Sequence, residues 1–452
     1  MPQHSDLDGK LKVTTLVHAD SGDGPSNAAR RLHEALVELG CDATLFVGRV
    51  RRAVRGNVVL YRPSMRMWDR WCRTVRGWRV TATMRVLRGR QRREGSEAFP
   101  FFLMRSVHGR EFFEQLPPSD VFIVRSVSPF VDFVAFFREV PKRAPVVLEL
   151  SDMAFFTGGC QYSYGCDKYR RRCCACPQLG GRRVYDLAAE EWEVKHAALR
   201  SAIASGRLHV VAPSRWLASV AQQSELLRGA PITVIPYGVD PEVFRPLPRL
   251  VARQLLSIPM DVTVLAFAVG GSLTRPGKGL PVVQHLTAQL SMRRNFLLVT
   301  WGWLGSSGVL PNSRYLGFLD DEHAVTLAYN VADVVLVPSQ AEAFGLVALE
   351  AQACGVPVVG FRVGGIAEIV RDGVTGLLAE DGDVDGLVER VERLLDDGEL
   401  RARMGENARR VVLEEYTVEL QARRYLDLCQ TVGSKSVGSA GETSRPQGQT
   451  VV

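Results

Sequence analysis

The sequence predicts an α/β protein built from two doubly wound, Rossmann-like domains that face each other across a cleft. Three observations lead there. Apolar runs of strand length alternate with stretches of helical periodicity along most of the chain. The alternation occurs twice, on either side of a proline-rich stretch. The chain has 452 residues, 46% hydrophobic and 23% charged, enough for two or three domains with sizeable cores.

The elements follow in order. Leu11–Val17 is an apolar strand. The loop from Gly22 to Asn27 then leads into Ala28–Leu39, where Ala28, Leu32, Ala35, Leu36 and Leu39 recur at helical spacing before Gly40. With the strand Ala43–Val47 this makes a strand–helix–strand opening, with a glycine-bearing loop at a helix start, where amides favour an anion. Val121–Val124, Pro145–Leu150 and Leu208–Val211 read as further strands. Ile235–Pro248 holds four prolines and reads as the connection between halves. Beyond it, strands at Val262–Val269, Phe296–Thr300, Asp333–Val337 and Val356–Gly360 alternate with helices at about Gly279–Leu290, Glu322–Val331, Gly345–Ala353 and Val384–Leu395. The last stretch, 433–452, is rich in Gly, Ser, Thr and Gln without periodicity and reads as disordered.

Composition narrows the class further. No apolar run reaches the roughly 20 residues of a membrane-spanning helix. The polar start of the chain offers no apolar core of a secretion signal, and nine cysteines fit reduced thiols, so a cytoplasmic location is expected. The net charge of +7 is concentrated: residues 49–93 hold fifteen arginines and one acid, leaving the other 407 residues at −7. Within that segment Tyr61, Met65, Trp68, Trp71, Cys72, Val75, Trp78 and Ala82 recur at spacings of three and four, with Arg66, Arg70 and Arg73 opposite. Two readings stand. One is a helix lying in the interface of an anionic membrane. The other is a helix that packs its tryptophans on its own domain. Nucleic acid fits less well, because no recognition module accompanies the charge.

The strongest chemical signal is the run from Glu342 to Glu350. A strand, Val334–Val337, feeds a loop that carries Glu342, and Gly345 opens a helix that carries Glu350. Amides at the helix start suit a phosphate, and a carboxylate beyond them can accept from vicinal hydroxyls of a sugar or ribose. The spacing therefore fits a nucleotide sugar, although two surface glutamates would show the same spacing.

This run resembles the Glu-x7-Glu motif of the retaining family 4 glycosyltransferases, which have the GT-B fold. The resemblance continues through Cys354–Val359, Val363–Ile369 and Asp372–Leu377. Upstream it takes in Pro213–Trp216 and Ile235–Asp240, and it extends from Lys12 to about Leu428. It implies that Glu350 holds the donor ribose and Glu342 the hydroxyls of the transferred sugar. The backbone of Phe344, Gly345 and Leu346 would meet the diphosphate or sugar, with Gly24 in the matching loop of the first domain. Lys278 matches the family lysine that neutralises the diphosphate; Ser272 stands in place of its usual arginine, for which Arg275 is the candidate substitute. No catalytic metal is implied. The resemblance also divides the chain into an acceptor-side domain at 1–240, a donor domain at 241–416, a helix crossing back at 417–432 and the tail at 433–452.

Ser151–Cys160 is similar to a bacterial surface-polysaccharide subgroup that has His-Asp-Met-Trp followed by Phe-Thr-Gly-Gly-Cys. Here Ser151 replaces the His and Ala154 the Trp, which leaves Asp152 as the candidate for the acceptor-side role. Cys160, Cys166, Cys173 and Cys176 have a spacing that could supply four thiolates to a structural zinc, with Cys174 spare; free thiols in a basic loop are the alternative. The resulting expectation is a transferase moving a sugar from a nucleotide sugar to a lipid-linked or polysaccharide acceptor, with peripheral contact to an anionic membrane. A transferase for a soluble acceptor, and a non-catalytic nucleotide-sugar or nucleic-acid binding module, are the competing readings.

Overall fold

The computed structural model describes residues 10–19, 24–93, 100–125, 128–181, 184–272, 277–303 and 310–438. Two parallel sheets organise it. The first contains β1 (Lys12–Val17), β2 (Asp42–Val47), β3 (Asn57–Leu60), β4 (Val121–Val124), β5 (Val146–Glu149), β6 (Leu208–Ala212) and β7 (Ile232–Val234), in the order β3-β2-β1-β4-β5-β6-β7. The second contains β8 (Thr263–Ser272), β9 (Phe296–Trp303), β10 (Ser313–Tyr315), β11 (Val334–Val337), β12 (Val358–Phe361) and β13 (Gly376–Ala379), in the order β10-β9-β8-β11-β12-β13. β4, β5, β11 and β12 are buried along their whole length, as expected of strands covered by helices on both faces. Their Val/Ile/Leu/Phe-rich runs, broken only by Glu149 in β5 and Gly360 in β12, are what made them legible. β3, β7 and β10 are short outer strands of three or four residues with half-exposed side chains, so no apolar run announced them.

In each sheet the strand order reverses beside the first strand, between β1 and β4 and between β8 and β11. Crossovers leave in opposite directions there, which opens a crevice at the carboxyl ends of the strands.

The segment 235–248 is not a loose connection. Tyr237, Val239 and Phe244 are buried, and Val239 pairs with Thr417, so the two passages of the chain between sheets run side by side. The helix Val418–Gly438 then packs against the helix Gly24–Glu38, with Ala422, Tyr425 and Cys429 in the core beneath β1 and β4. It runs past 432, where the sequence suggested that order ends, with Gly433 beside Leu11 and Val121. Residues 439–452 lie outside the described residues.

The basic segment forms a helix over Met67–Arg93. Tyr61 and Met65 precede it, and Tyr61 is buried against Phe46, Phe112 and Phe130. The expectation of one continuous apolar face is therefore corrected: Tyr61 belongs to the core, while the tryptophans do not.

Candidate active site

The site is assembled at the switch point of the second sheet. β11 ends at Val337 and is followed by the Glu342 loop. Gly345 caps the helix Leu346–Ala353 with φ +108, a conformation that L side chains rarely adopt. That turn aims the first amides of the helix into the crevice, and N–H groups there have no partner within the helix. β8 supplies the second loop. Gly279, at φ +85, lies so close to Pro338 that any side chain would collide with the Pro338 carbonyl. The contact brings Lys278 Nζ to 2.6 Å from Glu342 Oε2. The two residues singled out for the diphosphate and the sugar thus neutralise each other.

The first domain forms the facing wall. Gly24 comes so near that a Cβ there would lie 3.2 Å from Leu346 Cδ1. Ser151 and Tyr162 line the same cleft as Lys278, Glu342, Phe344 and Gly345. The first domain also fixes the Glu342 loop directly. The Ala343 N–H donates to Tyr162 Oη at 3.0 Å, and Ser214 Oγ donates to the Ala343 carbonyl at 2.7 Å. Burial, with Glu342 and Asp152 nearby, pushes the Tyr162 phenol well above its usual range, so it remains a neutral hydroxyl.

Glu350 sits deeper, beneath the open cleft. Its Oε1 accepts from Arg31 Nη2 at 2.7 Å and its Oε2 from Tyr329 Oη at 3.1 Å. Arg31 Nε also donates to Glu322 at 2.9 Å, and Arg30 pairs with Glu322 at 2.6 Å. Burial raises Glu350 above the ordinary carboxylate range despite Arg31. Burial acts the same way on Glu322, but Arg31 and Arg30 together outweigh it and hold that carboxyl low. Arg31 is therefore the main interdomain charge contact of the site. The sequence reading missed it, because two arginines on an amphipathic helix look like a solvated face.

Asp152 is 9% exposed and close to Tyr162; its Oδ1 accepts from the Ala154 N–H at 2.8 Å, closing a local turn, while the adjacent Ser151 lines the cleft. Arg275 lies outside the described residues. Cys160, Cys166, Cys173 and Cys176 line one small cavity together with Cys174. Burial pushes the Cys173 and Cys176 thiols up to about 12. Among the described residues no group of three or more His, Cys, Asp or Glu is arranged to hold a metal ion. The four-cysteine zinc expectation thus gains no geometric support among the described residues.

Comparison with known proteins bears on this architecture. Sucrose-phosphate synthase from Thermosynechococcus elongatus superposes with a TM-score of 0.65 at 18% identity, over 94% of this chain and all of that one. Anabaena HepE, solved in complex with UDP and glucose, gives 0.62 at 17% identity, over 93% of this chain and all of that one. The fold is GT-B. Residues 278–411, which contain Lys278, Glu342 and Glu350, match the family model "Glycosyl transferases group 1". In sequence, 276 residues are 34% identical to D-inositol 3-phosphate glycosyltransferase of Stackebrandtia nassauensis, covering 51% of this chain and 61% of that protein. The Mycobacterium tuberculosis protein of the same name is 38% identical over 191 residues, 39% of either chain. The match thus spans less than two thirds of these relatives. The GT-B architecture accounts for Lys278, Glu342 and Glu350 lying at the β8/β11 switch point while the first domain supplies the opposing wall.

Proposed function

We propose that this protein is a retaining glycosyltransferase that takes its sugar from a nucleotide-sugar donor. The observation that carries the reading is the pairing of Lys278 with Glu342 beside the Gly345 helix start, in a cleft closed by a second domain. Each member of the pair is the counterpart of one half of such a donor. A diphosphate would draw Lys278 away from Glu342, and hydroxyls of the transferred sugar would then occupy the freed carboxylate. As the bond between the anomeric carbon and the phosphate oxygen breaks, charge grows on the departing diphosphate. Lys278 and the amides of Phe344, Gly345 and Leu346 are placed to stabilise it. Glu350 would take the ribose hydroxyls, which requires Arg31 to share or yield its carboxylate.

For the acceptor we favour a lipid-linked or saccharide hydroxyl, of the kind used in bacterial surface polysaccharide assembly. The support is the first domain's exposed aromatic helix together with the similarity of Ser151–Cys160. A soluble acceptor is the second reading, favoured by the name of the relatives that match at 34–38% identity. Calorimetric titration with a panel of UDP-, GDP- and ADP-sugars tests the donor reading. One sugar nucleotide should bind, and Glu350→Gln should weaken it by roughly 1.5–3 kcal/mol, the scale of a hydrogen bond to a charged group. No binding by the folded protein, or an unchanged affinity in Glu350→Gln, would refute the donor site as drawn.

A further inference from the structure

The helix Met67–Arg93 faces the opposite way from an ordinary amphipathic surface helix. Its polar side turns inward: Ser64 Oγ donates to Asp69 at 2.6 Å, and Arg73 donates to the Ser64 carbonyl at 3.1 Å. Its apolar side turns outward. Trp68, Trp71 and Trp78 are 70%, 58% and 79% exposed, with Met67 and Val75 beside them. Trp68 and Trp71 stack on each other, their ring centroids 5.2 Å apart, and among the described residues no other ring stacks on them. A water-soluble surface seldom leaves a contiguous apolar patch of this kind uncovered. Arg70 is exposed at the border of the stripe, and Arg66 and Arg76 are exposed on the far side of the helix, within a segment that carries fifteen arginines against one acid. Tryptophan beside arginine suits a lipid interface, where indole rings sit at headgroup depth and guanidinium groups meet phosphate. Among the described residues no helix is long and apolar enough to cross a membrane.

The helix also has a structural connection to the cleft. It packs against the turn Pro177–Leu179, and Gln178 of that turn donates to the Tyr162 carbonyl at 2.7 Å. Tyr162 is the cleft residue whose hydroxyl holds the Glu342 loop.

We propose that the Trp68–Trp71–Trp78 face is a docking surface for an anionic lipid bilayer, into whose interface the three indoles insert while the exposed arginines around the helix draw the basic segment to the anionic surface. The proposal rests on the transferase reading only for its purpose, which is to present the acceptor-side wall to a lipid-borne hydroxyl; the surface itself stands without it. The test is co-sedimentation of the full chain with vesicles of phosphatidylcholine containing 30% phosphatidylglycerol, together with tryptophan emission and sugar-nucleotide binding measured without vesicles. The wild type should sediment at low salt with a blue-shifted emission and should be released as salt rises. A Trp68→Ser/Trp71→Ser/Trp78→Ser variant should partition at least tenfold more weakly, and so should Arg66→Gln/Arg70→Gln/Arg76→Gln at low salt. Both should bind sugar nucleotide like the wild type, which separates this test from that of the donor site. Wild-type protein that stays in the supernatant at low salt would overturn the proposal. So would equal, salt-independent binding to pure phosphatidylcholine. A dimer that the Trp variant dissociates, without vesicle binding, would assign the face to a second copy instead.

Discussion

Arg31 offers the sharpest test of how the two domains are joined at the site. Its guanidinium donates to Glu350 at 2.7 Å and to Glu322 at 2.9 Å, with its side chain 3% exposed and both carboxylates 12% exposed. Arg31→Met would leave those two carboxylates facing each other with only Arg30 on Glu322. Removing one partner of a buried ion pair typically costs about 3–5 kcal/mol, and the surviving Arg30 contact places the expected loss near ~3 kcal/mol. The pH dependence has a definite sign. Without Arg31, Glu350 rises further above its unfolded value, so the native state binds more protons than the unfolded one and stability falls as pH rises. In the wild type, Glu322 is held low and contributes stability that is present above its unfolded value and lost on acidification. Both effects make the deficit of Arg31→Met largest at neutral pH and smaller toward pH ~4.5, the unfolded carboxyl value. Urea unfolding from pH 4.5 to 8 measures it. Arg31→Met/Glu350→Gln, which retains an amide oxygen for Tyr329, should recover at least half of the loss at pH 7. A loss below about 1 kcal/mol, a deficit that grows on acidification, or strict additivity in the double variant would show that the network does not act as a buried clamp.

Three further outcomes are expected. Lys278→Ala should lower turnover by 10²–10³-fold, the usual effect of removing one donor from a developing anion, once a donor is identified; a kcat within a factor of three of wild type would remove Lys278 from that role. Tyr162→Phe leaves the Ala343 N–H without an acceptor at a buried position, so unfolding free energy should fall by about 1–3 kcal/mol and the donor KM should rise; an unchanged melt and KM would show that the loop is held by Ser214 alone. His33 is fully buried, and burial lowers it to about 4, with the backbone of Arg55 opposing. Between the unfolded value of ~6.5 and ~4 the unfolded state binds the extra proton, so wild-type stability should decline by about 3 kcal/mol as pH falls through that window. His33→Leu should flatten that decline, and parallel slopes in the two proteins would contradict the assignment.

What was legible in the sequence follows from which forces are local. The buried strands β4, β5, β11 and β12 declare themselves because a strand covered on both faces is apolar along nearly all of its length, the exception being Glu149 of β5, which pairs with the buried Arg125. The Glu342–Glu350 spacing is legible because loop, glycine cap and helix are contiguous. Arg31 was not, since its partners lie 291 and 319 residues away and nothing in its own helix distinguishes a paired arginine from a solvated one. Tyr162 and Ser214 were missed for the same reason, reaching Ala343 across 181 and 129 residues. The local turn that Asp152 closes by accepting from the amide of Ala154, two residues on, was not visible in the sequence either, because an acid beside a cleft and an acid that caps a turn read alike. Periodicity located the tryptophan helix but could not say which side would be covered. An apolar stripe normally turns inward, and here Asp69 and Arg73 do so instead.

These distances also account for the unequal way in which the two halves resemble other proteins. A diphosphate and a ribose are invariant chemical objects, so the residues that would meet them are constrained to one lysine, two carboxylates and a helix start, and residues 278–411 match a family model over that stretch. An acceptor imposes no common shape. The first domain accordingly carries this chain's particular features: Ser151 where the similar subgroup has His, a cavity of clustered thiols, and tryptophans turned to solvent. A hydroxyl at position 151 can donate and accept hydrogen bonds but, unlike an imidazole, cannot gain or lose a proton near neutral pH. If the acceptor's proton is not taken up on that wall, it must leave with the departing diphosphate, on the side where Lys278 stands. On the proposed transferase reading, the demands of the chemistry would fall on the second domain and the choice of acceptor on the first. The contacts that bind Ala343 to Tyr162 and Ser214 are what would keep the two in register.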